Sequence, residues 1–160
     1  MTLESVRLKK HAITEEIIQY EQLGLSNDHL IHGDYFCDNV FFDENDQVSY
    51  VFDFERTQYA PPLYELFRSM FVTFLSIPNQ DNLARARDYI NAYLTIYPFP
   101  KELVRNSLMA AFQKQMQSLW IEGEHYLDDS TRADSLLESQ YACNRYYIEN
   151  RAEIEAYLLG

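Results

Sequence analysis

The strongest constraint that the sequence places on this fold is the stretch from Leu30 to Glu55, LIHGDYFCDNVFFDENDQVSYVFDFE. It contains two short apolar runs rich in valine and phenylalanine, Val40–Phe42 and Val48–Phe52, with the polar turn 43–47 between them. Short apolar runs on either side of a polar turn predict a β-hairpin. A hairpin at this position brings the loop before its first strand close to the loop after its second strand.

Polar side chains occupy both of those loops. The first loop contains the tripeptide H-G-D, which ends at Asp34, and Asn39 closes the loop. Asp53 directly follows the second apolar run. Carboxylate and amide oxygens on short, anchored loops are the ligands that a hard cation such as Mg²⁺ prefers. The sequence therefore predicts that Asp34, Asn39 and Asp53 lie at neighbouring loop ends beside the hairpin.

The order of these motifs, H-G-D-x-x-x-x-N, a strand, and a second strand that ends in D-F-E, resembles the aminoglycoside phosphotransferase and choline kinase superfamily. Its members are small-molecule kinases built on a protein-kinase-like fold. The resemblance implies that Asp34 accepts the proton of the substrate hydroxyl and that Asn39 and Asp53 bind Mg²⁺. These roles agree with the general kinase template, in which catalysis is mostly positioning and charge neutralisation.

Four further residues are expected to support this site. We interpret His32 as a structural histidine that holds the loop, and Gly33 as a position where a side chain would block the backbone conformation or a close approach. Glu55 is expected to support the metal ligands through indirect contacts rather than to bind metal or substrate itself. Glu65 lies where the family usually has an aspartate, and we interpret it as an anchor for the loop backbone. A solvated surface glutamate is the equally open alternative.

The remainder of the chain is predicted to be helical. Thr14, followed by two glutamates, predicts the start of an N-terminal helix, with Ile17 and Ile18 on its apolar face and Gly24 as its stop. Pro61-Pro62 suits the first turn of another helix, which Pro78 ends. Apolar residues at helical spacing, including Tyr97 and Leu119, predict three more inward faces. These three helices are predicted over Asp81–Tyr97, Lys101 to about His125, and Ser130 or Thr131 to Leu159.

We therefore predict an α+β fold that is mainly α, the helical C-terminal lobe of a protein-kinase-like fold, with a small β-hairpin carrying the catalytic and metal loops. The domain organisation predicted is a single lobe over residues 1–160. It comprises an N-terminal helix and loop at 1–29, the catalytic and metal-binding region at 30–55, and a helical region at 56–160.

A complete kinase also needs a glycine-rich phosphate cover and a lysine on a strand. The sequence has only four glycines and no G-x-G-x-x-G run, and its lysines lie outside the predicted strands. The segment before Asp34 is too short for a five-stranded lobe. The N-terminal nucleotide-binding lobe is accordingly expected to be absent, and Mg²⁺ and ATP are expected as cofactors only of a complete two-lobe enzyme.

The composition restricts the class of partner. A net charge of −12 argues against a nucleic-acid binder, because phosphate contacts need clustered lysine and arginine, and it is compatible with a cationic substrate. No apolar run approaches the roughly 20 residues that cross a bilayer, so no membrane span is expected. Two cysteines, Cys37 and Cys143, without a signal peptide predict a cytoplasmic protein with reduced thiols.

Two functions follow as hypotheses. The first is the catalytic lobe of an ATP-dependent kinase that transfers the γ-phosphoryl group to a hydroxyl of an aminoglycoside-, choline- or homoserine-like acceptor, inactive as the isolated chain. The alternative is a non-catalytic binding or scaffolding protein that keeps the shape of the lobe. In the family that this chain resembles, the helical lobe packs against the nucleotide-binding lobe, so the resemblance implies that apolar surface beside the hairpin is exposed here, which predicts self-association or a covering partner.

Overall fold

The computed structural model of this chain describes residues 2–15 and 23–160. The described part contains six α-helices and four short strands, besides short 3-10 turns. The helices are α1 (Thr2–Glu15), α2 (Pro62–Thr73), α3 (Gln80–Ile96), α4 (Lys101–Gln117), α5 (Trp120–Tyr126) and α6 (Asp134–Leu159). The strands are β1 (His29–Ile31), β2 (Val40–Phe42), β3 (Val48–Val51) and β4 (Gln58–Ala60).

The strands form two small antiparallel pairs between α1 and α2. Strands β2 and β3 form the predicted hairpin, with Val40 opposite Val51 and a bulge between Phe41 and Phe42. Strands β1 and β4 pair outside it, with His29 opposite Ala60. This second pair was not predicted, because each strand has only three residues and its partner lies on the far side of the hairpin. The H-G-D loop lies between β1 and β2, and the D-F-E turn lies between β3 and β4. Each of these two segments therefore has a paired strand at both of its ends.

The core lies among the helices, and α2 is at its centre. Pro61 and Pro62 start this helix, as predicted, because proline suits positions whose N–H has no partner within the helix. Helix α2 packs against α3, α4 and β1. Its buried apolar residues recur at spacings of three and four, so that one face enters the core. They are Leu63, Leu66, Phe67, Met70 and Phe71.

Three expectations about the helices are wrong. Thr14 does not start a helix but lies in the last turn of α1, where its hydroxyl donates to the Lys10 carbonyl at 2.7 Å. The helix predicted from Lys101 to about His125 is broken at Ser118, whose extended backbone separates α4 from α5. Tyr97 and Leu119, predicted to point inward, are exposed because they follow the ends of α3 and α4. The predicted Ile17 and Ile18 lie outside the described residues.

The described part of the chain is therefore mainly helical with a small β component, as the sequence predicted. Gly24, the predicted helix stop, has a φ of +64°, in the left-handed region that glycine adopts without strain. None of the described helices combines the length and the apolarity that a membrane-spanning helix requires.

Candidate active site

The loop that follows β1 makes a tight turn at Gly33. This residue has a φ of +81°, and a Cβ atom placed on it would lie 2.0 Å from the carbonyl oxygen of Arg56. The positive φ and the close approach of the Arg56 carbonyl both disfavour any side chain at this position, as the interpretation of Gly33 expects. The turn brings the H-G-D loop against the D-F-E segment, since Arg56 ends the short 3-10 turn Phe54–Arg56.

His32 joins the same two segments through its ring. It is buried, its Nε2 lies 2.8 Å from the carbonyl oxygen of Phe52, and its Nδ1 accepts a 3.2 Å hydrogen bond from the backbone N–H of Asp34. Because Nδ1 accepts, Nε2 carries the proton and donates it to Phe52. Phe54 packs against the ring with 4.6 Å between centroids. Both ring nitrogens are thus used to hold the backbone, as expected of a structural histidine.

Asn39 closes the loop from the other side. The residue is buried, and its Nδ2 donates a 2.8 Å hydrogen bond to the backbone carbonyl of Asp34. The backbone carbonyl of Asn39 accepts a 3.2 Å hydrogen bond from the backbone N–H of Phe52. Phe52 is the residue directly before Asp53, so these bonds bring Asp34, Asn39 and the start of the D-F-E turn into one small region.

Glu65 fixes this region to helix α2. Its Oε1 accepts a 2.6 Å hydrogen bond from the N–H of Gly33, and its Oε2 accepts a 3.2 Å bond from the N–H of His32. The carboxylate therefore satisfies two successive backbone donors in the tightest part of the turn. These contacts match the interpretation of Glu65 as the anchor of the loop and exclude the alternative of a solvated surface glutamate.

The side chain of Asp34 contacts two arginines that the sequence analysis did not identify. Arg68 donates from Nη2 to Asp34 Oδ1, and Arg56 Nε lies 3.9 Å from Oδ2. The Asp34 and Arg68 side chains are 21% and 24% exposed, whereas Arg56 is 69% exposed. A guanidinium that donates a hydrogen bond to a carboxylate fixes the orientation of that carboxylate. The spacing of three residues puts Arg68 on the same face of α2 as Glu65, but that spacing alone does not show that its guanidinium reaches Asp34.

Asp53 and Glu55 lie on the exposed side of the same turn. Asp53 has a φ of +64° and a ψ of +61°, which places a non-glycine residue in the left-handed region at the end of the second strand. Aspartate tolerates this conformation better than most residues, and such positions are concentrated at functional sites. Glu55 is exposed in the 3-10 turn that begins after Asp53.

The donor set of this region is compatible with Mg²⁺. The amide nitrogen of Asn39 is used to bond Asp34, so its amide oxygen is the atom left to face a cation. Asp53 adds a carboxylate. Among the described residues no three His, Cys, Asp or Glu side chains are grouped closely enough to hold a metal by themselves.

Cys37 lies in the same loop but is poorly suited to be a nucleophile. Partial burial, followed by the hydrogen bond and the negative charge of Asp38, raises the pKa of its thiol, so the reactive thiolate is disfavoured. Its Sγ donates to Asp38 Oδ1 at 3.4 Å.

Comparisons with known proteins test the resemblance to a family. The sequence model of the phosphotransferase enzyme family matches residues 3–103, a range that contains the H-G-D loop, the hairpin and helices α2 and α3. No curated protein and no solved structure matches the chain. The match covers more than half of the chain and confirms the resemblance predicted from the motifs. This chain belongs to the phosphotransferase enzyme family.

Proposed function

We propose that this chain is the C-terminal, catalytic lobe of an ATP-dependent small-molecule kinase that phosphorylates a hydroxyl group. One observation carries the proposal. Hydrogen bonds from Asn39 to Asp34, and from Phe52 to Asn39, gather the family motifs at one end of the hairpin. A protein that only preserved the helical core would have no physical need for this arrangement, because the core lies among the helices.

Each residue of the gathered set has a distinct role in the proposal. Asp34 accepts the proton of the acceptor hydroxyl, and Asn39 and Asp53 hold the metal side of the site. Mg²⁺-bound ATP, when present, supplies the phosphoryl group and neutralises its charge. His32, Gly33 and Glu65 keep the loop in place, while Glu55 lies beside the metal side of the turn without a direct part in the transfer.

The phosphate-binding half of the site must come from another lobe. The 160 residues contain no glycine-rich phosphate cover, and Mg²⁺ binds weakly where no phosphate oxygens assist. We infer that the isolated chain binds ATP poorly and transfers no phosphate. The net charge of −12 is compatible with a cationic acceptor, although acidic surfaces more often only keep a protein in solution, and two free cysteines are consistent with a cytoplasmic location.

The hairpin supplies a surface on which such a lobe could dock. Four of its apolar side chains form what we call the hairpin patch, each 52–73% exposed. They are Phe41, Phe42, Val48 and Tyr50. Several large apolar side chains exposed on one hairpin are a candidate interaction surface, and we propose that they are covered by the nucleotide-binding lobe or by a second copy of this chain.

The test compares the chain alone with the chain joined to a nucleotide-binding lobe of a family member. Each form is incubated with Mg²⁺, γ-labelled ATP and a panel of amino sugars, choline and homoserine. The proposal predicts transfer by the joined form only, on at least one acceptor. Robust transfer by the isolated chain would contradict the need for a second lobe. Binding of ATP by the joined form without any transfer would favour the alternative, a scaffolding protein, for which the exposed hairpin patch is the supporting observation.

A further inference from the structure

Helix α2 contacts the H-G-D loop at two points, and only one of them is explained by anchoring the backbone. Glu65 accepts from the N–H groups of His32 and Gly33. Arg68, three residues later and therefore on the same face of the helix, reaches the side chain of Asp34 instead. One helical turn thus holds both the backbone of the loop and the carboxylate that the loop presents.

The two oxygens of Asp34 are in different situations. Oδ1 accepts from Arg68 Nη2, in a half-buried pair. Oδ2 lies 3.9 Å from Arg56 Nε, which is beyond hydrogen-bond distance, and Arg56 is largely exposed. A carboxylate with one oxygen bonded to a guanidinium is restricted in its rotation, which leaves Oδ2 as the oxygen without a hydrogen bond from Arg68.

We propose that Arg68 is a positioning residue, which occupies Oδ1 of Asp34 so that Oδ2 alone meets the acceptor hydroxyl. This inference rests on the proposed function. In the transfer step the acceptor oxygen forms a bond to the γ-phosphorus, the bond from that phosphorus to the ADP oxygen breaks, and the hydroxyl proton passes to Oδ2. A base held with its oxygen aligned gains rate from orientation, and a misplacement of about 1 Å can cost about 10²-fold.

The chemistry of arginine suits this task better than that of lysine. The guanidinium is planar and always charged, and its donors point in fixed directions, whereas an ammonium is a point charge on a flexible stem. Nη1 of Arg68 is buried without a hydrogen-bond partner among the described residues, so the Asp34 contact is not one of many that hold this side chain. Arg68→Lys should therefore keep the charge and lose much of the alignment.

The contact itself is tested on the full chain without any activity. Carboxyl groups are labelled with a carbodiimide and an amine, and the sites are quantified by mass spectrometry. Arg68→Gln should raise the labelling of Asp34 several-fold. The matched control is Arg151→Gln, since Arg151 pairs with Glu155 at 2.7 Å with side chains 19% and 21% exposed. It should raise labelling of Glu155 and leave Asp34 unchanged. Unchanged Asp34 labelling in Arg68→Gln would overturn the proposal.

The positioning role is tested in the form joined to a nucleotide-binding lobe. Arg68→Ala should lower kcat by about 10²-fold with the KM for ATP changed less than about twofold, and added guanidinium should restore part of kcat. The kcat of Arg68→Lys should stay below the kcat that added guanidinium restores to Arg68→Ala. A wild-type kcat in Arg68→Ala, or a loss that guanidinium leaves untouched, would overturn the proposal. Absence of transfer by the wild-type joined form would instead contradict the proposed function, while the labelling still decides whether Arg68 holds Asp34.

Discussion

The carboxylate of Glu65 accepts a 2.6 Å hydrogen bond from the backbone N–H of Gly33, and this bond joins helix α2 to the loop of the candidate site. A second bond, from His32, shares the same carboxylate. Hydrogen bonds to a charged acceptor contribute about 1.5–3 kcal/mol each, and a buried donor left unpaired adds a penalty. The stability of the loop therefore depends on one side chain of the core helix.

We expect Glu65→Ala to lower the free energy of unfolding by about 3 kcal/mol, because both backbone donors lose their acceptor. Glu149→Ala is the control, since Glu149 pairs with Arg145 on the exposed face of α6. Exposed pairs contribute little, so the control should unfold at nearly the wild-type urea concentration. Urea unfolding measures both, and equal midpoints for the two variants would contradict the anchoring role.

Gly33→Ala should be more harmful than a glycine substitution in open space. The added Cβ would meet the Arg56 carbonyl at 2.0 Å, and the positive φ adds strain, for a combined cost on the order of 3 kcal/mol. Gly24 has a similar φ of +64° but no atom within 4 Å of its Cβ position, so Gly24→Ala should cost only about 1 kcal/mol. Thermal unfolding of the two variants separates the clash from the strain, and a larger loss at Gly24 would contradict the packing described.

The buried pair Lys9–Glu122 joins α1 to α5 and should make stability depend on acid pH. The two groups are 2.7 Å apart, with side chains 3% and 4% exposed, and Ser5 also donates to Glu122 at 2.7 Å. Burial raises the pKa of Glu122, but the hydrogen bonds from Lys9 and Ser5 outweigh it and hold the pKa below its usual 4.5. A carboxyl whose folded pKa is lowered stabilises above its unfolded pKa and loses that contribution as pH falls through the folded one.

Glu122→Gln should therefore cost about 3 kcal/mol at neutral pH, and the difference from wild type should shrink below about pH 4.5. Replacing both partners with apolar residues, in Lys9→Met with Glu122→Leu, should cost less than Glu122→Gln alone, because no buried charge is left unpaired. Urea unfolding across this pH range measures the difference. A gap that stays constant with pH would show that Glu122 does not titrate as described.

The two cysteines should react very differently with an alkylating reagent. Burial raises the pKa of the Cys143 thiol to about 12, whereas Cys37 is exposed. Native protein should therefore be modified at Cys37 only, and denatured protein at both. Asp38→Asn should accelerate the reaction of Cys37, because after burial the contacts with Asp38 are what raise its pKa. Mass spectrometry of the alkylated protein decides this, and native modification at Cys143 would contradict its burial.

Much of the site could be predicted because its residues are close in sequence. Asp34, Asn39 and the residue before Asp53 are linked by a hairpin whose two strands are each marked by valine and phenylalanine. The proline pair at 61–62 likewise fixed the start of α2 through a purely local preference. Local sequence preferences of this kind predict the structure correctly where no tertiary contact favours a different backbone conformation.

The parts that were missed depend on contacts between distant segments. Arg68 lies between Phe67 and Ser69 on α2, and only the folded loop shows that its guanidinium meets Asp34. Strands β1 and β4 have three residues each, too few for a periodic pattern, and they exist because the hairpin between them brings their ends together. Thr14 followed by two glutamates has the pattern of a helix N-cap, yet α1 continues through Thr14 to Glu15.

The central claim is that Asp34 takes the proton of the acceptor hydroxyl, and one comparison of rates tests it most directly. The initial rate of γ-phosphoryl transfer is measured for the form joined to a nucleotide-binding lobe, with Asp34→Asn beside the control Asp38→Asn, an exposed aspartate in the same loop. Removal of a general base costs about 10²–10⁴-fold, so Asp34→Asn should lose transfer by that factor with its circular dichroism spectrum and ATP affinity kept, while Asp38→Asn stays near the wild-type rate. Transfer by Asp34→Asn at the wild-type rate would contradict the account.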